Sequence, residues 1–140
     1  MKKRKLGWRE ALFILLSAAL VIYLTIRDWE KSKHNAELFK KSELQAEVLE
    51  PLVKNFYQVR GRMPWSLVDR LPDGQRFVDL LPNGNCFVNT FTGQYTEPRF
   101  FDRIHKEADA GTVAVIKEED YGYIVVYGVD RKVVVLKLRL

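Results

Sequence analysis

One cysteine, two histidines and eight glycines are all that this 140-residue chain holds of those types. A lone Cys86 excludes an intrachain disulfide and the multi-cysteine ligand sets of structural zinc sites. A small buried thiol is its expected state, with an intermolecular bridge as the alternative. His34 falls in a charged stretch and His105 in FFDRIHKEAD, so both are expected to be solvated. A Cys86–His105 nucleophile pair can be written down, but neither flanking segment marks a nucleophile. The chain also lacks a glycine-rich phosphate loop, metal-ligand spacing and a nucleophile elbow. It has no internal repeat and no low-complexity segment. These absences predict a protein that is not an enzyme and needs no cofactor.

The chain has little net charge outside its first residues. The total is +5, yet residues 1–10 hold five basic residues and one acid, so residues 11–140 carry only +1. Arg60 and Arg62 are the nearest approach to a basic cluster in that remainder. Polyanion binding needs local clustering, so no nucleic-acid partner is predicted for this part. Glu118, Glu119, Asp120 and Asp130 offer oxygen atoms of the kind calcium takes. They fall in short connectors without a ligand loop, and solvated turns are the expected reading.

What the chain does have is one long apolar run. Residues 11–26, ALFILLSAALVIYLTI, carry no charge. As helix they span about 24 Å, a little under a hydrocarbon core of about 30 Å. Leu6, Trp8 and Trp29 extend the apolar stretch, and Arg9 and Arg27 can reach outward on their stems. Trp8 and Trp29 stand where interfacial aromatics belong. A buried core helix would not need the preceding basic cluster. A cleavable secretory signal would need small residues before a cut, which Ser17, Ala18 and Ala19 could supply. It would leave residues 20–26 as an exposed apolar end. A membrane anchor is therefore the prediction. Lys2, Lys3, Arg4, Lys5 and Arg9 then hold the N-terminus in the cytoplasm, with residues after about Arg27 outside.

The reading continues as helix to Arg60, with strong helix formers and charges of alternating sign. Leu38, Gln45, Leu49, Leu52, Phe56 and Val59 recur at helical spacing, and the apolar content rises toward the end. Leu49, Leu52, Phe56 and Val59 are the predicted contacts of this helix with a sheet. Pro51 is expected to bend the helix rather than divide it, because the stripe keeps phase across it. Gly61 suits a C-terminal cap, with Pro64 following.

Residues 63–71 read as a short helix or turn. Pro72-Asp73-Gly74 and Pro82-Asn83-Gly84 are turn signals. Residues 77–81 fit either a short strand or one helical turn. Residues 86–88 fit a strand, residues 89–98 a loop, and residues 100–110 are ambiguous. Residues 112–117, 121–127 and 132–138 are rich in β-branched and aromatic side chains. Their short connectors predict a three-stranded antiparallel meander. The expected fold class is α+β, a long helix packed by its second half on a small antiparallel sheet. The expected parts are a basic leader (1–10), a transmembrane helix (11–29), its extracytoplasmic continuation (30–60) and a small α+β domain (61–140).

Several segments resemble those of the type IV pilin-like proteins, including the pseudopilins of type II secretion. Gly61-Arg62-Met63-Pro64-Trp65-Ser66-Leu67 is similar to the family's Gly-x-x-Pro segment after the long helix. Asn89-Thr90-Phe91-Thr92-Gly93 resembles the pseudopilin Asn-Pro-Phe-Thr-Gly loop, with Thr90 in place of proline. Residues 111–115 and 123–130 resemble the closing strands, ending in a Gly-x-Asp turn. The resemblance implies a pilin-like fold and a membrane-anchored subunit of a bacterial secretion, pilus or DNA-uptake assembly. Its partners would be membrane lipid and other pilin-like subunits, met through the N-terminal helix. It further implies a processing site between Gly7 and Trp8, after the basic leader. The family's glutamate five residues past the cut would fall at Leu12, and Glu10 lies two positions earlier. That departure supports the alternative of an uncleaved, signal-anchored extracytoplasmic module that does not polymerise.

Overall fold

The computed structural model describes residues 4–81 and 87–140. Cys86, the Pro82-Asn83-Gly84 turn, and Lys2 and Lys3 lie outside the described residues. Two compact units divide the chain, Met1–His34 and Asn35–Leu140.

The first unit holds the start of helix α1, Trp8–Arg60, whose later turns belong to the second. Within the second unit α1 buries Phe39, Ser42, Ala46, Leu49, Val53 and Phe56. Their steps alternate between three and four residues, which keeps one stripe in line along the helix. Continuing the alternation past Phe56 brings Arg60 onto the stripe, not Val59. Val59 is accordingly 51% exposed, which corrects its predicted packing role. Leu49 and Phe56 are fully buried, and Leu52 is half-buried against the core. The helix runs unbroken through Pro51, which lies on the exposed face. There the carbonyl that loses its amide partner can be hydrated, so the proline is tolerated. Gly61 ends the helix at φ 73°, a left-handed cap conformation, and its amide bonds to the Tyr57 carbonyl at 2.7 Å.

Residues 62–76 form a turn-rich loop closed by an isolated bridge between Arg70 and Arg76. A single 3-10 turn follows at Phe77–Leu80. Strands β1, Phe87–Val88, and β2, Tyr95–Thr96, pair antiparallel as a small hairpin. The expected loop at residues 89–98 thus contains β2. The second sheet has the order β3-β4-β5-β6. Its members are β3 (Arg99–Phe101), β4 (Val113–Glu118), β5 (Tyr121–Tyr127) and β6 (Lys132–Arg139). β4, β5 and β6 form the expected antiparallel meander. β3 adds a fourth strand, parallel to β4. Three residues between Pro98 and Asp102 are too few for any periodic signal to mark it.

The alternation of side chains divides the sheet between two cores. Val113, Val115, Ile124 and Val126 join the main cluster with Leu49, Val53 and Phe56 of α1. Ala114, Ile116, Val125 and Tyr127 point the other way, where Phe101, Ile104 and Ala108 cover them. Both faces are covered, which is why β4 and β5 read as continuous apolar runs and not as alternating ones. The fold class is α+β, a long helix packed on a small, mostly antiparallel sheet, as expected.

Candidate functional site

The N-terminal unit is built around one feature. Its helix contains an 18-residue window of mean hydropathy 1.9, and none of that window is buried. Phe13, Leu15, Val21 and Tyr23 are each more than three-fifths exposed. An apolar surface of this extent is not stable in water without a cover. The helix is long and apolar enough to cross a membrane. Trp8 and Trp29 lie about 32 Å apart along a helix axis, close to the thickness of a hydrocarbon core. Each indole carries a cation, Arg9 at 5.3 Å and Lys33 at 5.5 Å from the ring centres. Ring and cation together suit the polar margin of a bilayer at both ends of the segment.

The helix start falls at the predicted processing position. Gly7 is the N-cap: its carbonyl accepts the Ala11 amide at 2.9 Å, and Trp8 is the first helical residue. Glu10 reaches back, its carboxylate accepting the Gly7 amide at 3.4 Å and Arg4 at 3.1 Å. This is the glutamate half of a capping box. It gives Glu10 a local role two positions before Leu12. Arg4, Lys5 and Arg9 are exposed around it.

In the second unit, the residues of the Asn89-Thr90-Phe91-Thr92-Gly93 segment tie three parts together. The Asn89 side-chain oxygen accepts the amides of Phe91 and Thr92 at 2.9 and 3.2 Å. Its amide nitrogen donates to the Ala110 carbonyl at 2.9 Å. Thr90 donates to the Leu38 carbonyl at 2.7 Å, and its hydroxyl lies 2.6 Å from that of Ser42. The loop therefore ties the helix to the segment that enters β4. Ser42 is 1% exposed, and this contact supplies its polar partner. A serine on a helix face gives no sequence sign of such a bond, because its partner is 48 residues away.

A second knot holds the loop after the helix. Arg62 grips Asp69 through two nitrogens at 2.6 and 2.9 Å, a bidentate ion pair. Its guanidinium also lies 3.9 Å from the Trp65 ring centre. The Asp69 carboxylate accepts the amides of Trp65 and Arg70 as well. The bond from Arg62, with those amides, holds the Asp69 carboxyl down to about 2.

The other candidates are dispersed. His34 is exposed. His105 is half-buried, against the expectation of a surface residue, with its ring edge-on to Phe101 at 4.3 Å. Its carbonyl accepts the Tyr127 hydroxyl and the Lys132 ammonium at 3.1 and 3.2 Å. Burial raises the Tyr127 pKa. Glu118 accepts the Ile104 amide at 2.9 Å. Glu119 and Asp130 occupy left-handed turn positions at φ 52° and 55°. Among the described residues no three His, Cys, Asp or Glu side chains come together as a metal site. No protein-family model, no curated protein and no solved structure matches the chain.

Proposed function

We propose that this chain is a membrane-anchored, non-enzymatic subunit of a pilin-like envelope assembly in bacteria. The observation that carries the reading is the wholly exposed apolar window of a helix whose later turns form the core of a small α+β unit. One helix thus serves two environments, which is the division of labour that an anchored subunit needs. The anchor crosses the cytoplasmic membrane once. The basic residues Arg4, Lys5 and Arg9 keep the N-terminus in the cytoplasm, and the Asn35–Leu140 unit lies outside. The work of the protein is contact with lipid and with other subunits, not chemistry on a substrate.

Processing between Gly7 and Trp8 belongs to this reading. A cut there would remove the N-cap and free Glu10 from the Gly7 amide and from Arg4. It would also create an amine two residues from Glu10. The carboxylate already reaches back past the scissile bond, so it supports local neutralisation of the new charge. Leu12 favours a second reading, an uncleaved signal-anchored module that works singly or beside a membrane complex. Leu12 is apolar and half-exposed, and it supplies no charge to pair with a neighbouring amine.

Mass spectrometry of the membrane-extracted protein separates the two. A mature N-terminus at Trp8 supports the processed subunit. An intact N-terminus in cells with an active prepilin peptidase supports the uncleaved module.

A further inference from the structure

β6 closes the four-stranded sheet at one edge, with β5 on one side and, among the described residues, no strand on the other. At eight residues it is the longest strand. A free edge of this length presents backbone groups ready to pair with another chain. It is also open: Val133 and Val134 are 38% and 45% exposed, and Lys132, Lys137 and Arg139 are exposed beside them.

The register decides which side chains share a face. Lys132, Val134, Lys137 and Arg139 stand opposite Tyr127, Val125, Tyr123 and Tyr121 of β5. The irregularity beside Val134 restores a common face for all four. One face of the edge is therefore a row of three cations around a valine. Residues 131–140 contain no acid. Among the described residues none of these cations has a carboxylate within ion-pair distance. Lys137 rests on the rings of Tyr121 and Tyr123, at 4.4 and 6.0 Å, and Lys132 donates to the His105 carbonyl.

The charge row selects among occupants. A second copy of β6 would bring a strand with cations and no acids against the same row. No such register offers the cations an acid, and several set like charges directly opposite one another, which is unfavourable across strands. An extended segment with acids at alternate positions would meet the cations on one face and add a ladder of backbone bonds. We propose that the free edge of β6 binds an extended acidic segment of a partner protein by strand addition. The proposal stands on the sheet alone and does not depend on the pilin-like reading.

The test uses the full chain in zwitterionic detergent micelles. The probes are a short peptide alternating Glu with Val and its counterpart alternating Lys with Val. Binding is followed by fluorescence anisotropy, and amide hydrogen exchange locates it. The acidic peptide should bind at least about tenfold more tightly than the basic one. It should protect amides of residues 132–139 that are not bonded to β5. Its affinity should weaken by about an order of magnitude as salt rises from about 0.05 to 0.3 M. Lys132→Glu combined with Lys137→Glu should reverse the preference between peptides. If that variant does not fold, the peptide comparison and the salt series on the unaltered chain still decide.

Equal binding of both peptides would overturn the proposal, as would protection mapping elsewhere. Acidic binding without protection of β6 amides would reduce the edge to a diffuse charge effect and overturn it too. Protection that rises with protein concentration in the absence of peptide would assign the edge to a second copy instead.

Discussion

The hydroxyls of Ser42 and Thr90 lie 2.6 Å apart, joining the long helix to a loop 48 residues further along. Thr90 also holds the Leu38 carbonyl one turn earlier. Two small polar side chains thus pin the helix at the part of its stripe where Phe39 and Ala46 flank the contact. Leaving the buried Ser42 hydroxyl without its partner costs about 1–3 kcal/mol. Thr90→Val should therefore destabilise residues 32–140 by about that much in urea denaturation. Adding Ser42→Ala to Thr90→Val should cost less than the sum of the two single changes. Additive losses would show that the hydroxyls are not coupled.

The stripe on the helix predicts a contrast between neighbours. Phe56 is fully buried and stacks edge-on with Phe77 at 5.9 Å. Phe56→Ala should cost about 3–5 kcal/mol. Val59→Ala, on the exposed side, should change stability by less than about 0.5 kcal/mol. Equal losses at the two positions would mean that the helix presents a different face to the sheet.

Gly128 lies where the β5 chain passes against the Phe39 ring, and an added Cβ there would collide with the ring carbons. Gly128→Ala should destabilise by about 1–3 kcal/mol, as overpacking does. Phe39→Leu in the same chain should recover part of that loss. Thermal denaturation of the single and double variants measures it. A neutral Gly128→Ala would show that the ring has room to move.

Asp69 gives a dependence on pH whose sign follows from its partners. Arg62 and two backbone amides lower its pKa from the ordinary 3.8 to about 2. Its charged form is therefore favoured by folding. That contribution, about 2 kcal/mol for a carboxylate only 12% exposed, is present above pH 4. It is lost as pH falls from about 4 to about 2. Urea midpoints for the native chain and Asp69→Asn should converge across that window. A constant gap down to pH 2 would mean that the ion pair does not set the titration.

How much of this was legible in the sequence varies with the physics of each part. The apolar run, the helix to Arg60, the Gly61 cap and the meander all rest on local periodicity or backbone chemistry, and each is where the sequence puts it. The helix face was legible only in part. Leu49 and Phe56 stand out as large apolar residues, but Ser42 and Ala46 are small and Phe39 lies in a polar stretch. Val59 was misplaced because apolar character alone does not fix the phase of a stripe. β1 falls within the strand expected at residues 86–88, but β2 and β3 were hidden because strands of two or three residues carry no period. The role of Thr90 was hidden because its partners are set by tertiary distance and not by spacing. The covering of the second sheet face by Phe101, Ile104 and Ala108 was hidden for the same reason.

The central claim is that the exposed apolar helix crosses the membrane with the C-terminal unit outside. Site-directed labelling tests it most directly. With Cys86→Ser as background, Arg9→Cys and Gln94→Cys each place one exposed thiol on either side of the apolar segment, and both positions are kept whether or not the chain is cut after Gly7. A membrane-impermeant maleimide added to intact cells or protoplasts should label position 94 at once and position 9 only after lysis. Labelling of position 9 before lysis, or of both positions only after it, would contradict the account.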